Sequence, residues 1–202
     1  MWKKFFVIAL FSLPSLADEV NGWQPLHESV YRDDMNATRR IVESGRWDID
    51  ARSKAGIAPL HIAVKTRNLP MVEYLLEHGA DADIQDNNGY TPLLYAISQH
   101  RVAIVRALLR HEADIELANA AGITPLQQAA YSNDFEIVDL LLREGADANA
   151  LNKNGINACE LAYLKGNFAM AHYLKDWTRG PCGKYADELQ KMEEKPREKR
   201  QP

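Results

Sequence analysis

The 202-residue chain has little of what marks a special scaffold or a familiar chemistry. Two cysteines are too few for a disulfide-dense domain, and 11 glycines and 9 prolines exclude a collagen-like chain. No H-E-x-x-H, C-x-x-C, G-x-S-x-G or glycine-rich phosphate loop occurs, and His27-Glu28 lacks the second histidine a zinc motif needs. Long apolar runs are also scarce; a single stretch approaches membrane length, which excludes a polytopic membrane protein. Positive charge is in deficit. With 24 Lys and Arg against 28 Asp and Glu, the formal net charge is −4, and the sequence pI near 5.9 argues against a nucleic-acid binder. What is present is an ordinary soluble composition, 46% hydrophobic and 26% charged, enough for one domain or two small ones.

The start of the chain has a different character. Met1-Trp2-Lys3-Lys4 leads into an apolar stretch from Phe5 to Leu16, then Ser15-Leu16-Ala17 precedes Asp18-Glu19. A basic start, a short apolar segment and a small-x-small end describe a secretory signal peptide over residues 1–17. Ser12, Pro14 and Ser15 interrupt the stretch, so it suits a membrane span poorly. The alternatives are an uncleaved anchor or a buried N-terminal helix. No cysteine sits at the cleavage point, which argues against a lipoprotein. The expected location is the periplasm, or the medium beyond it, with a mature charge of about −6.

The remainder is periodic. Gly56, Gly89, Gly122 and Gly155 recur every 33 residues, and Gly22 precedes Gly56 by 34. Three residues after each glycine stand Pro25, Pro59, Pro92, Pro125 and then Ala158. Leu26, Leu60, Leu93, Leu126 and Cys159 follow directly, and Ser29, Ala63, Ala96, Ala129 and Ala162 sit seven after the glycines. Ile41-Val42, Leu75-Leu76, Leu108-Leu109 and Leu141-Leu142 stay in phase, as do Gly45, Gly79, Glu112 and Gly145. The extra residue of the first repeat falls after Gly45, around Arg46-Trp47-Asp48.

Each period predicts two helices. Thr91 and Thr124 before Pro92 and Pro125 are helix starts, a side-chain cap followed by proline at the first helical position. Val72-x-x-Leu75-Leu76 and Val138-x-x-Leu141-Leu142 describe a second, more apolar helix, which Gly79 and Gly145 end with the residue that tolerates a left-handed cap. Segments such as Gln85-Asp86-Asn87-Asn88-Gly89 form the turn to the next period. A helix pair of this size cannot bury its own apolar face, so the pairs must stack.

Ala58-Pro59-Leu60-His61-Ile62-Ala63 and Thr124-Pro125-Leu126-Gln127-Gln128-Ala129 resemble the ankyrin T-P-L-H-x-A signature, and His78-Gly79-Ala80-Asp81 and Glu144-Gly145-Ala146-Asp147 resemble its repeat end. The resemblance covers residues 20–177. It implies an all-α ankyrin-repeat solenoid over residues 18–178, with β-turn or hairpin connections and repeats near 20–53, 54–86, 87–119, 120–152 and 153–177. The first and last repeats are atypical, as end caps should be: Thr38 and Arg39-Arg40 replace apolar or neutral residues, and Asn157-Ala158-Cys159 replaces Thr-Pro-Leu. Residues 179–202 form a charged tail, expected to be partly disordered. His27 and His61 take the signature position, where a structural hydrogen bond to the turn is the expected role. His78, His100, His111 and His172 fall at other phases and form no site.

Cys159 begins the first helix of repeat five, and Cys182 follows the second helix by a few residues. An antiparallel return would bring them within disulfide range, so a Cys159–Cys182 bridge is expected; the alternative is a small core cysteine and a free thiol. No cofactor, metal or catalytic residue is expected.

Function then rests on contact surfaces. The resemblance implies that the turn tips and the exposed end of the first helix meet a protein partner. This assigns Trp23, Tyr31, Arg32, Lys65, Asn88, Tyr90, Gln99, Tyr131 and Lys165 as partner-binding candidates, rich in the residue types of interface hot spots. The competing reading is that Trp23 covers the N-terminal edge and the tyrosines pack on neighbouring turns; Trp47 fits either a cap or a contact. The expected protein is monomeric when free, binds a protein rather than nucleic acid, and has no stable membrane anchor. Two roles suit it: an immunity protein neutralising a secreted toxic effector, or a stabiliser of a periplasmic enzyme, for instance one in oxidative-stress defence. A secreted, host-directed ankyrin effector is a third and weaker reading.

Overall fold

The computed structural model describes residues 22–178 together with Cys182. The expected signal peptide at 1–17 and, apart from Cys182, the tail at 179–202 lie outside the described residues.

Ten helices are present among the described residues, alternating between short and longer. The first of each pair has seven residues: α1 (Pro25–Tyr31), α3 (Pro59–Lys65), α5 (Pro92–Ser98), α7 (Pro125–Tyr131) and α9 (Ala158–Leu164). The second has eight or nine: α2 (Met35–Glu43), α4 (Leu69–Glu77), α6 (Val102–Arg110), α8 (Phe135–Arg143) and α10 (Phe168–Lys175). Four first helices start with proline, whose fixed φ suits the position and whose missing N–H costs nothing there. Thr91 and Thr124 accept from the backbone N–H of Leu94 and Gln127 at 3.1 and 3.3 Å. Asp34, Asn68 and Asp134 cap second helices in the same way, at 2.9, 3.1 and 3.1 Å. Helices this short are marginal alone in water, so their stability comes from packing.

The described chain divides into two compact units, one ending at Asp81 and one beginning at Ala82. In the first, α1 packs on α3, and each packs on its own second helix. The core between them is Leu26, Val30, Leu60, Val64, Met71, Val72 and Leu75, all fully buried. In the second, α5 packs on α7 and α7 on α9, with α6 beside α8. The small side chains Ala96, Ala129 and Ala162 are fully buried on the first helices, where they let neighbours approach closely. The fold class is therefore an all-α solenoid of stacked helix pairs, with no strand among the described residues.

Arg39 and Arg40 are exposed, as an end-cap repeat requires, but Thr38 is fully buried. It stands in phase with Val72, and its hydroxyl donates to Ser29 Oγ at 3.0 Å, which in turn donates to the Leu26 carbonyl at 3.1 Å. The pair replaces two apolar positions without leaving a buried polar group unpaired.

The connections are tight turns. Gly56, Gly89, Gly122 and Gly155 donate to the carbonyls three residues back, at 2.8–2.9 Å, and the flanking backbones pair once more, as in Asp86 N–H to the Tyr90 carbonyl at 2.9 Å. At Gly89 glycine is required twice. Its φ is +75°, and a Cβ there would lie 2.6 Å from the Ala120 backbone nitrogen, because Ala120 donates to the adjacent Asn88 carbonyl at 2.9 Å. Cys159, in the first turn of α9, is bridged to Cys182 with their Cα atoms 5.5 Å apart, closing a separation of 23 residues.

Two outcomes follow. Gly89→Ala should destabilise the second unit more than Gly79→Ala destabilises the first. Both glycines have positive φ, and about 1 kcal/mol is expected from that alone, but the space around Gly79 is open. Urea denaturation of both variants measures the difference. Reducing the bridge should lower stability by about 3 kcal/mol, read from the same titration with and without reductant.

Candidate protein-interaction surface

Position five after each turn glycine sets the surface. His27, fully buried, accepts the Gln24 N–H through Nδ1 at 3.1 Å and bonds the Ile57 carbonyl of the next repeat through Nε2 at 3.0 Å. Gln127 does the same in the second unit, accepting from Thr124 N–H at 3.3 Å and donating to the Ala150 and Ile156 carbonyls at 2.7 and 3.1 Å. Each of these side chains ties its own first helix to the turn that follows it, so residues flanking those turns are held rather than loose.

In the first unit the structure gathers three of the assigned residues. The Trp23 ring stacks on His27 at 6.0 Å and meets Tyr31 edge-on at 5.4 Å. Trp23, Tyr31 and Lys65 line one cavity of about 460 Å³, together with Lys54, Ile57 and Ile62. Tyr31 is 59% exposed, so its ring presents a face to a partner. Arg32 is exposed outside the cavity lining and is ion-paired with Glu28 one turn earlier. Trp47 is exposed in the segment that carries the extra residue.

In the second unit the remaining assigned residues fall into separate clusters. Tyr131 is exposed at the end of α7, and the Lys165 ammonium lies 4.3 Å above its ring, a cation–π pair. Tyr90 is half-buried and packs on Tyr95 at 5.3 Å. Asn88 is exposed, with its N–H given to Asp86 Oδ1 at 2.8 Å. Gln99 is half-buried at the C-cap of α5.

The sequence reading passed over Asp86 and Tyr95. Asp86 is buried; its Oδ1 accepts from the Asn88 and Tyr90 backbone, and its Oδ2 from the Tyr95 hydroxyl at 2.7 Å. Burial and this carboxylate push the Tyr95 phenol far above its ordinary pKa. The available signal was the in-phase comparison: Ser53, Asn119 and Asn152 stand where Asp86 stands, so the charge is particular to this repeat. Phe135 and Phe168 were also passed over. They open α8 and α10 where Met35, Leu69 and Val102 stand in other repeats, and both are exposed at 42%.

An acidic edge runs beside the turns. Asp81 N–H donates to Asp50 Oδ1 at 3.0 Å in the first unit. In the second, Asp114 N–H donates to Asp83 Oδ1 and Asp147 N–H to Glu116 Oε1, both at 2.7 Å. Burial raises the pKa of Asp50 and Glu116, outweighing the backbone hydrogen bond each accepts, and neighbouring aspartates add to the rise. Each therefore holds a proton more readily folded than unfolded. Their ionisation costs stability at neutral pH, and that cost is relieved as pH falls through the raised folded-state values. Asn149 already occupies the equivalent position in the next repeat. Asp50→Asn and Glu116→Gln should therefore stabilise their units at pH 7, with the gain vanishing near the ordinary carboxylate range of about pH 4. Thermal denaturation across pH measures this.

The comparisons agree with this architecture. The family model described as ankyrin repeats matches residues 5–86, 26–119 and 112–181. Two ankyrin repeat proteins of fowlpox virus (strain NVSL) are similar to the chain. One is 37% identical over 59 residues, 29% of this chain and 14% of the viral protein. The other is 36% identical over 92 residues, 40% of this chain and 48% of the viral protein. The chain thus spans less than half the length of either relative. Ankyrin repeats are in general non-catalytic protein-interaction modules. The 33-residue period, the buried His and Gln straps, the tight glycine turns and the matched span make this chain a member of the ankyrin-repeat family.

Proposed function

We propose that the chain is an exported, non-catalytic module that acts in the periplasm, is monomeric when free, binds one specific protein partner, and neutralises that partner as an immunity protein neutralises a secreted toxic effector. The observation that carries the interaction is an exposed aromatic-and-cation cluster in each unit taken by itself: Trp23, Tyr31 and Lys65 around one cavity in the first, and Tyr131 under Lys165 in the second. Rigid aromatic rings flanked by cations are the side chains that dominate interface energetics. The basic and apolar start of the sequence supports export. The Cys159–Cys182 bridge supports an oxidising compartment, since such bonds are rare in reducing cytosol.

The test is capture of partners by the tagged full-length protein from periplasm, followed by co-expression with the captured protein. Rescue of cells from killing supports the immunity role. Loss of a periplasmic enzyme's activity on deletion, without any toxicity, supports the stabiliser role instead. Tyr31→Ala combined with Tyr131→Ala should weaken partner binding by about 2 kcal/mol or more. Both rings are largely exposed, so the melting temperature should hardly move. Unchanged binding by the double variant would show that these rings are not the contact.

A further inference from the structure

We propose that Asn154 is a site of spontaneous covalent modification, losing its side-chain amide to become aspartate and isoaspartate in the folded protein, while the fold protects Asn88 in an equivalent dipeptide. The inference is independent of the interaction role. Asn88-Gly89 and Asn154-Gly155 are both Asn-Gly pairs at the turn glycines. The step is intramolecular. The Gly155 backbone nitrogen loses its proton and attacks Asn154 Cγ; the N–Cγ bond forms, the Cγ–Nδ2 bond breaks, and the proton leaves with the amide as ammonia. Water then opens the five-membered imide at either carbonyl carbon. One opening gives aspartate, the other an isoaspartate whose main chain runs through the former side chain. Glycine in the second position leaves the attacking nitrogen unhindered, so no enzyme is needed.

The two turns are alike within themselves. Gly89 and Gly155 have φ of +75° and +68°, and each N–H donates to the carbonyl three residues back at 2.9 Å. The Asn88 and Asn154 N–H groups each donate to a side chain two residues back, at 2.8 and 2.9 Å. What surrounds the turns differs. The Asn88 carbonyl accepts the Ala120 N–H at 2.9 Å, and the Ala120 nitrogen would lie 2.6 Å from a Cβ on Gly89. The following turn must therefore yield before the Gly89 nitrogen can swing onto the side chain. Gly155 is exposed where Gly89 is half-buried, and the space beside it is open among the described residues. Charge differs too. Asp86 accepts from the Asn88 and Tyr90 N–H groups on either side of Gly89, and its buried carboxylate disfavours a second negative charge on the Gly89 nitrogen. Neutral Asn152 does the same for Asn154 and Ile156, and the exposed Lys153 precedes Asn154. The product carries a new carboxylate at the turn tip. As isoaspartate it also lengthens the main chain within the turn that the Gly155 to Asn152 hydrogen bond closes.

The experiment incubates the full-length protein, bridge intact, in mildly alkaline buffer over weeks. Samples are digested in oxygen-18 water, which marks any change made during digestion. The peptides carrying Asn88 and Asn154 are read by mass, and electron-transfer fragmentation tells isoaspartate from aspartate. A parallel incubation in guanidinium chloride gives the rates of the unfolded chain. In the folded protein Asn154 should react about fivefold faster than Asn88 or more, the scale of one additional hydrogen bond to be broken. In denaturant the two rates should converge. Asn152→Asp, which copies the carboxylate of Asp86, should slow Asn154 severalfold and leave Asn88 unchanged. Circular dichroism checks that this variant folds; if it does not, the folded-against-denatured comparison of the wild type decides alone. The proposal is overturned if no product forms at Asn154, or if Asn88 reacts as fast in the folded chain. It is also overturned if the preference for Asn154 is the same in denaturant, since it then comes from neighbouring residues rather than the fold, or if a folded Asn152→Asp variant reacts at the wild-type rate.

Discussion

A buried polar side chain in the first turn of the short helix ties one repeat to the next. His27 and Gln127 each satisfy a backbone N–H of their own helix start and reach a carbonyl of the following turn. Leaving such a buried group unpaired costs about 1–3 kcal/mol, so the strap fixes where the next turn must lie. Where the strap residue changes, the structure compensates. Leu94 holds this position in the third repeat, and Gln85 takes over, donating to the Gly89 and Ala118 carbonyls at 3.0 and 3.1 Å. In the fifth repeat Glu160 closes its own cap with Asn157, at 2.9 and 3.1 Å.

Everything offered to a partner is positioned by that arrangement. Trp23 is held because His27 is held, and Ile57 because His27 bonds its carbonyl. Within each unit the apolar core is shared between short helices that could not persist alone, so each unit's surface is held by its own packing. A module that works by contact needs this more than it needs chemical variety. The one strongly perturbed phenol among the described residues, Tyr95, is explained by burial and by its carboxylate partner Asp86 in a turn.

The fold was legible because it repeats. A proline after a threonine, a glycine with positive φ and a histidine at a fixed offset each encode a local requirement, and recurrence in register makes each one readable. Where the requirement is not periodic, reading failed. Thr38 looked like an exposed cap residue because its partner, Ser29, is recognisable only once the helices are packed. Asp86 and Tyr95 were missed because their pairing joins a turn to a helix nine residues on, in a single repeat. The geometry of the candidate surface was half legible. Phase alone named Trp23, Tyr31 and Lys65, but that they share one cavity depends on how α1 and α3 pack. Phase also named Tyr90 beside Tyr131, which sit in different clusters.

In the proposed mode of binding, the turns and the ends of the short helices form the contact surface while the second helices serve as support. Hydrogen exchange of the full chain, with and without its captured partner, tests this directly. Added protection is predicted at residues flanking Gly22, Gly56 and Gly89 and at the ends of α1, α3 and α7, with α2, α4, α6 and α8 unchanged. Protection confined to the second helices, with the turns unaffected, would contradict the account.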